Sequence, residues 1–213
     1  MTEPMNAGIP FVLSGPSGSG KGTIVKELLA KAPDRFALSV SATTRSPRPG
    51  EVDGRDYFFI TREDFEERIA RGEVLEYTQY CGNYYGTLKS EVERITAAGV
   101  NVILEIEVEG GHNAQRLLPG TVLIFILPPD RPTLEARLRG RGTNSDEDIA
   151  HRLERARMEL EAALDYDYVI VNGDNAADRA AEEVISVIET EAKRISRQKE
   201  LLARFADELR APV

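Results

Sequence analysis

The chain has 213 residues, 41% of them hydrophobic, and a formal net charge of −9. That length suits one α/β domain with appendages, and the acidic balance argues against general binding to nucleic acid or an anionic membrane, which need a basic surface. Cys81 is the only cysteine, so no internal disulfide can form. With His112 and His151 scattered, no Cys/His metal cluster is expected, and all three read as structural or surface residues.

The N-terminal MTEPMNAG has no basic region leading into a long apolar run, and no stretch reaches transmembrane length. The expected compartment is the cytoplasm. Ile9 to Leu13 is the first predicted strand and Gly22 to Lys31 the first helix. Between them lies GPSGSGKGT. An apolar strand, a glycine-rich turn ending in Gly-Lys and a helix start form the signature of a phosphate-binding P-loop. Gly15, Gly18, Gly20 and Gly22 leave the backbone N–H groups open to a polyphosphate. Pro16, Ser17, Ser19 and Thr23 complete the loop, and Lys21 adds a mobile point charge for the outer phosphates. An ordinary Gly/Ser turn requires none of this spacing. One departure stands out. The strict motif places Ser or Thr directly after the lysine as a Mg²⁺ ligand, and here Gly22 holds that place. The ion is then expected on phosphates, water and a more distant carboxylate.

Phe36 to Val40 is a second apolar run. From Ser41 to Tyr57 the chain turns rich in Ser, Thr, Pro, Gly and Arg, which by itself reads as a flexible loop. The strand-like YFFIT follows, then a helix from Arg62 to about Arg71 with a weak cap from Thr61 and Asp64. VLEYTQYCGNYYGT predicts two short strands around a turn near Gly82-Asn83, and a helix runs from about Lys89 to Ala98, stopping at Gly99. The stretch from about Ser41 to Ala98 reads as an insertion after the second core strand. Core strands return at Asn101–Glu107, Thr121–Leu127 and Tyr168–Val171, and the intervening helices imply βα units and a parallel sheet. An arginine-rich stretch from Pro128 to Leu164 predicts a short helix, a mobile loop and a long helix. Ala176 to about Leu209 is one long or broken amphipathic helix.

Ligands of an open parallel sheet bind at the carboxyl ends of its strands, and the P-loop marks that edge. Glu105 and Glu107 end their predicted strand and, by the period of two, share a face. Each reads either as a solvated strand-end charge or as an outer-sphere Mg²⁺ partner or nucleotide contact. Arg45 and Arg48 lie three apart in the Ser/Thr/Pro loop, with Tyr57, Tyr84 and Tyr85 later; guanidinium forks with hydroxyl donors suit a phosphate dianion. Glu76 interrupts an apolar strand. An ionised carboxylate only accepts, and guanine offers N1–H and N2–H₂ side by side. Glu76 with a hydroxyl such as Ser41 or Thr87 complements guanine and mismatches adenine, which discriminates because buried polar groups would stay unpaired.

GPSGSGKGT, SATTRSPRPGEVDGRDYFF, GNYYGT after Glu76, RGRGT and the late VIVN together resemble guanylate kinase of the bacterial type, in order, from the P-loop to about Asn172. The resemblance implies an α/β, P-loop three-layer fold: a mostly five-stranded parallel sheet, an inserted mixed α/β GMP-binding region and a helical lid. It divides a single domain into a core (1–40, 99–128 and 165–213), a GMP-binding insertion (41–98) and a lid (129–164). It implies reversible transfer of the γ-phosphoryl of ATP to GMP, giving ADP and GDP, with Mg²⁺, in purine nucleotide metabolism. By motif, Ser41, Arg45, Arg48, Tyr57, Glu76, Tyr85, Thr87 and Glu107 would hold GMP, and Asn172 would lie near the adenine or ribose. Lys21, Arg45, Arg141 and Arg152 would be catalytic, and Glu105 would be the metal's carboxylate, directly or through water. The family pattern ILDID followed by Gln and Gly is ILEIEVEG here, so Glu105 and Glu107 stand for aspartates and Glu109 for glutamine.

The acceptor is a phosphate oxygen already ionised at neutral pH, so no general base is required. Catalysis is expected from alignment and charge stabilisation, with a closing loop around Arg139 to Ser145 to exclude water. Asp148–Arg152, Arg155–Glu159 and Arg157–Glu161 are all i,i+4 pairs. For Arg155 and Arg157 that is read as ordinary helix surface. Spacing leaves Arg152 open, and only the resemblance assigns it to the phosphoryl group; the choice of Tyr85 over Tyr84 likewise rests on the resemblance. The alternative from another class is a non-catalytic guanylate-kinase-like interaction module, against which the intact Lys21 speaks. A signalling GTPase would need an Asn-Lys-x-Asp motif that the chain lacks. Monomer and homo-oligomer both remain open.

Overall fold

The computed structural model describes residues 7–140 and 145–210. Five parallel strands form the core sheet: β1 (Pro10–Ser14), β2 (Phe36–Leu38), β7 (Asn101–Glu105), β8 (Val122–Leu127) and β9 (Tyr168–Val171), in the order β2-β7-β1-β8-β9. Their side chains alternate between two apolar layers. Phe11, Leu13, Ile103, Ile124 and Ile170 enter one layer, with Ile24 and Leu28 of α1 (Lys21–Lys31) and Val184 and Ile188 of α7 (Ala177–Ala192). Val12, Val102, Leu104 and Leu123 enter the other, with Val92 and Ile95 of α3 (Lys89–Ala97) and Ala114 of α4 (Val108–Leu117). A sheet covered on both faces needs apolar residues at every strand position, which is why these segments read as near-continuous apolar runs.

A second sheet of four strands is built from the middle of the chain: β3 (Ala42–Thr43), β4 (Phe58–Phe59), β5 (Val74–Tyr80) and β6 (Asn83–Leu88), in the order β4-β3-β6-β5. Phe65 of α2 (Arg62–Ala70) closes its small core with Ala42, Val74 and Leu88. The β5–β6 turn comes one residue earlier than expected. Cys81 (φ 48) and Gly82 (φ 77) are its two central residues, and Asn83 already belongs to β6. Positive φ at both centres is what a two-residue hairpin requires. A register shift between Val74 and Glu76 re-aims Glu76 within β5.

Two helices, α5 (Arg131–Arg139) and α6 (Asp146–Ala162), follow β8 and pack on each other through Leu134, Leu138, Ile149 and Ala156. Asp130 caps α5. Ser145 and Asp148 form a capping box at the start of α6. The C-terminal helix is broken: α7 ends at Ala192, a short 3₁₀ turn covers Ile195–Arg197, and α8 runs Lys199–Arg210. The break is held by Glu191, buried against Arg194 and Arg197, and by Gln198, which donates to the Ala192 carbonyl.

One expected strand end is corrected. β7 stops at Glu105, not Glu107, because the ladder to β1 ends at the pair Leu13–Glu105. The Ile106 carbonyl accepts from the Ser14 hydroxyl, and Glu107 is the N-cap of α4. Glu105 and Glu107 are therefore not two residues of one strand face.

Candidate active site

The P-loop connects β1 to α1 at the carboxyl edge of the sheet. Gly15 has φ 146, and a Cβ there would stand 2.2 Å from the Ile126 carbonyl oxygen, so the loop passes against the end of β8 as only glycine permits. Gly20, the N-cap of α1 with φ 91, lies against the Asn172 amide, where a Cβ would come within 2.3 Å of Nδ2. The Lys21 ammonium folds back over the loop and donates to the carbonyls of Gly15 and Pro16. Ser19 is fully buried. Asn172 is buried too, and donates to the Ser19 carbonyl at 2.8 Å, so it braces the loop from beneath. The same Asn172 carries its main-chain carbonyl to Arg137, which also binds the Gly173 carbonyl and Asp174. Thr23 is exposed one residue past Gly22.

A cleft of about 530 Å³ opens above the loop, lined by Gly15, Ser17, Lys21, Glu105, Glu107 and Arg152 among others. Arg152 reaches down from α6 and donates to the Ser17 hydroxyl at 2.9 Å. Its predicted i,i+4 partner Asp148 is committed instead to the Ser145 hydroxyl and backbone N–H of the capping box. Arg155, read from spacing as helix surface, does pair with Glu159, but it also lines this cleft and donates to Glu107. That part of the surface reading is corrected: the i,i+4 partner is there, and one turn along from Arg152 the same helix face meets the cleft. Arg157 pairs with Glu154 and Glu161. Arg141 lies outside the described residues.

A second cavity, about 840 Å³, lies between the two sheets and shares the wall Glu105–Ile106–Glu107 with the cleft. Ser41, Glu76 and Tyr85 line it. The Glu76 carboxylate accepts from the buried Thr87 hydroxyl at 2.8 Å. Burial pushes the Glu76 carboxyl above its ordinary range; the Thr87 hydrogen bonds oppose this and the Glu107 charge adds to it. Tyr85 joins this cavity to the loop of Arg45, since its ring lies 6.0 Å from Tyr57 and the Arg45 guanidinium lies over Tyr57 at 5.0 Å. Tyr84 instead stacks on Phe65 in the small core at 5.0 Å. Arg45 is held in a two-pronged pair with Glu51, both contacts 2.6 Å, and Glu51 also accepts from the Arg48 backbone N–H. These bonds hold the Glu51 carboxyl down at about 2 and the Arg45 guanidinium firmly charged. The stretch expected to be a loose loop is thus ordered by its own Glu51, a residue spacing did not single out.

Sequence reasoning also passed over Tyr166. Its hydroxyl, half-buried with its proton held to about 12 by desolvation, donates to Ser14 at 2.8 Å, and Ser14 donates to Ile106. This relay ties the entry of the P-loop to the corner that carries Glu105 and Glu107. No local pattern marks it, because the three residues are far apart in the chain.

The family model for guanylate kinase matches residues 7–191. The guanylate kinase of Streptococcus thermophilus (strain CNRZ 1066) is 52% identical over 190 residues, covering 89% of this chain and 90% of that protein. That of Streptococcus pyogenes serotype M3 is 50% identical, with 89% of each covered. The crystal structure of guanylate kinase from Anaplasma phagocytophilum superposes with a TM-score of 0.64 at 31% identity, covering 95% of this chain and 98% of that one. Matches of this depth, spanning both the phosphate cradle and the Glu76 cavity, show that the chain belongs to the guanylate kinase family.

Proposed function

We propose that the chain transfers the γ-phosphoryl of ATP to GMP, giving ADP and GDP, with the P-loop cleft as the donor site and the Glu76 cavity as the acceptor site. The observation that carries this is the shared wall Glu105–Ile106–Glu107, which sets a phosphate cradle directly beside a cavity that holds a carboxylate–hydroxyl pair. Two nucleotides so placed meet with their phosphates facing. On this reading the core is 1–40, 99–128 and 165–213, the acceptor insertion 41–98 and the lid 129–164.

Each residue has a chemical task. The N–H groups of the loop and the start of α1 receive the donor's phosphates. Lys21 leaves the Gly15 and Pro16 carbonyls to follow the transferring group, and Arg152, held beside the loop by Ser17, adds a second cation, as does Arg141. Glu76 accepts from the guanine N–H donors while Thr87 orients it. Ser41 and Tyr85 complete that pocket, and Arg45, Arg48 and Tyr57 take the GMP phosphate. Asn172 serves the donor by holding the P-loop backbone. No residue must remove a proton, because the attacking phosphate oxygen is already ionised at pH 7.

Mg²⁺ carried with ATP would supply charge neutralisation on the phosphates, with Glu105 as its nearest protein carboxylate. The residues fit an ion carried mainly by phosphate and water. Among the described residues no group of three His, Cys, Asp or Glu could hold a metal alone. The Glu105 carboxylate faces the P-loop, its Oε1 3.7 Å from where a Cβ of Gly22 would be, and offers one hard oxygen donor.

Among the described residues no helix is long and apolar enough to cross a membrane; the proposed compartment is the cytoplasm, where both nucleotides are. The test is ADP production from Mg·ATP with GMP, AMP or UMP as acceptor. GMP-dependent turnover with little on AMP is expected, and equal rates on AMP and GMP would remove Glu76 from base recognition.

A further inference from the structure

The acceptor cavity is markedly acidic for a site that must admit a nucleoside monophosphate. Glu76, Glu105, Glu107 and Glu109 all line it, and Arg116 is the one basic side chain among the described lining residues. The incoming phosphate carries between one and two further negative charges at neutral pH. Like charges confined in a partly closed cavity are screened less than on open surface. With Arg45 and Arg48 assigned to the phosphate itself, a cation outside the cavity can still offset the carboxylates of the opposite wall.

Arg155 meets that description. It stands on α6, three residues after Arg152 and on the same helix face. Its Nη2 donates to Glu107 Oε2 at 2.5 Å, and its Nε donates to Glu159 Oε1 at 3.1 Å. Glu159 is mostly buried, so the guanidinium is anchored on its own helix through Nε while Nη2 reaches across the cleft to Glu107. Arg155 lines the donor cleft and not the acceptor cavity, while Glu107 belongs to both. Glu107, at the N-cap of α4, is one methylene longer than an aspartate, and its Oε2 meets Arg155 across the cleft. Arg152 and Arg155 thus divide the work of one helix face, the first at the P-loop and the second at the shared wall.

We propose that Arg155 is a positioning residue for the acceptor: it draws the Glu107 carboxylate toward α6 and neutralises it, and so admits an anionic nucleotide to an otherwise acidic cavity. The inference rests on the reading of that cavity as the acceptor site. Because the Arg155 and Glu107 side chains are 61% and 74% exposed, the effect is modest, at the upper end for an exposed pair.

The experiment is steady-state kinetics on the full chain, varying GMP and ATP separately. Arg155→Ala should raise the GMP KM about three- to fivefold, about 1 kcal/mol at most, with kcat and the ATP KM within about twofold. Arg155→Lys should recover most of the loss, since an ammonium also pairs with Glu107. In a Glu107→Gln background, Arg155→Ala should add less than about twofold, because the charge it neutralises is gone. Raising salt to about 0.3 M should shrink the Arg155→Ala effect. Three results would each overturn the proposal: an unchanged GMP KM, a KM effect that persists at full size beside Glu107→Gln, or an equal fall of kcat in both backgrounds, which would make Arg155 a direct phosphate contact. Circular dichroism of each variant separates these outcomes from misfolding. Failure of the underlying reading would look different, as an unmutated chain with no GMP-dependent ADP production.

Discussion

At the residue scale, Lys21 and Glu76 divide the chemistry. Lys21 donates to the Gly15 and Pro16 carbonyls of the P-loop and is not among the buried core residues, so Lys21→Ala should lower kcat by about a hundredfold or more while the melting temperature stays near that of the parent; near-native turnover would end the cradle reading. Glu76 is different because it is half-buried and its carboxyl is desolvated. Its carboxyl is raised in the folded chain, so its contribution to stability is fully present below the unfolded value and is lost as pH rises through the raised folded value. Charged Glu76 is thus a cost to the fold that GMP binding uses. Glu76→Gln should leave the melting temperature at pH 7 equal or higher, yet raise the GMP KM by about tenfold or more, as expected for a lost bond to a charged acceptor. As pH falls through the raised value, Glu76 gains a proton and turns a donor toward guanine's donors. The GMP KM should rise on the acid side, and that component of the pH profile should vanish in Glu76→Gln. A profile identical in both proteins would assign the titration to the phosphate alone. Glu51 has the opposite sign: its carboxyl is depressed to about 2 by Arg45 and the Arg48 N–H, so its stabilising contribution is present above the ordinary carboxylate range and disappears only in strong acid.

At the scale of elements, one packing detail shapes the acceptor cavity and another aims α6 at the donor cleft. Gly86 in β6 faces β5 so closely that a Cβ would stand 2.4 Å from the Glu76 carbonyl oxygen and 3.1 Å from the Phe65 ring. Gly86→Ala should force the hairpin apart, costing about 1–3 kcal/mol of stability and weakening GMP more than ATP; thermal melts and the two KM values would report both. The second detail is the capping box of α6. Ser145 accepts from the Asp148 N–H, and Asp148 accepts from Ser145. This start sets the helical phase that turns Arg152 and Arg155 toward the cleft and Arg157 toward Glu154 and Glu161.

At the scale of the whole molecule, the core does not include α8. Leu201, Leu202, Phe205 and Leu209 are 47%, 51%, 58% and 74% exposed, and no α8 residue is buried. The 3₁₀ turn before it is different, since Arg197 donates to the Gly120 carbonyl and pairs with the buried Glu191. Ending the chain after Gln198 should therefore shift the melting temperature by less than about 2 °C and leave kcat unchanged. A large drop would mean that α8 has a partner surface in solution.

The sequence by itself determined the parts whose reasons are local. The P-loop follows from glycine spacing after an apolar strand. The parallel sheet follows from apolar runs separated by helical stretches. The carboxylate in an apolar strand marked Glu76, because a buried charge needs a reason. Family resemblance then named the remaining site residues. What only the tertiary structure decided are relations between distant segments. Whether Tyr84 or Tyr85 faces the cavity depends on the phase of β6 against Phe65, and alternation within the strand cannot say which face is the core. Asn172 could be assigned to a nucleotide by motif, but its burial under Ser19 is set by how β9 ends beside the loop. Glu105 and Glu107 looked alike by the period of two until the Ser14–Ile106 bond ended the strand between them. Arg155 carries the same lesson most clearly. An i,i+4 ion pair has the same spacing on any helix face, and only the packing of α6 against α4 decides that this arginine meets a carboxylate across a cleft.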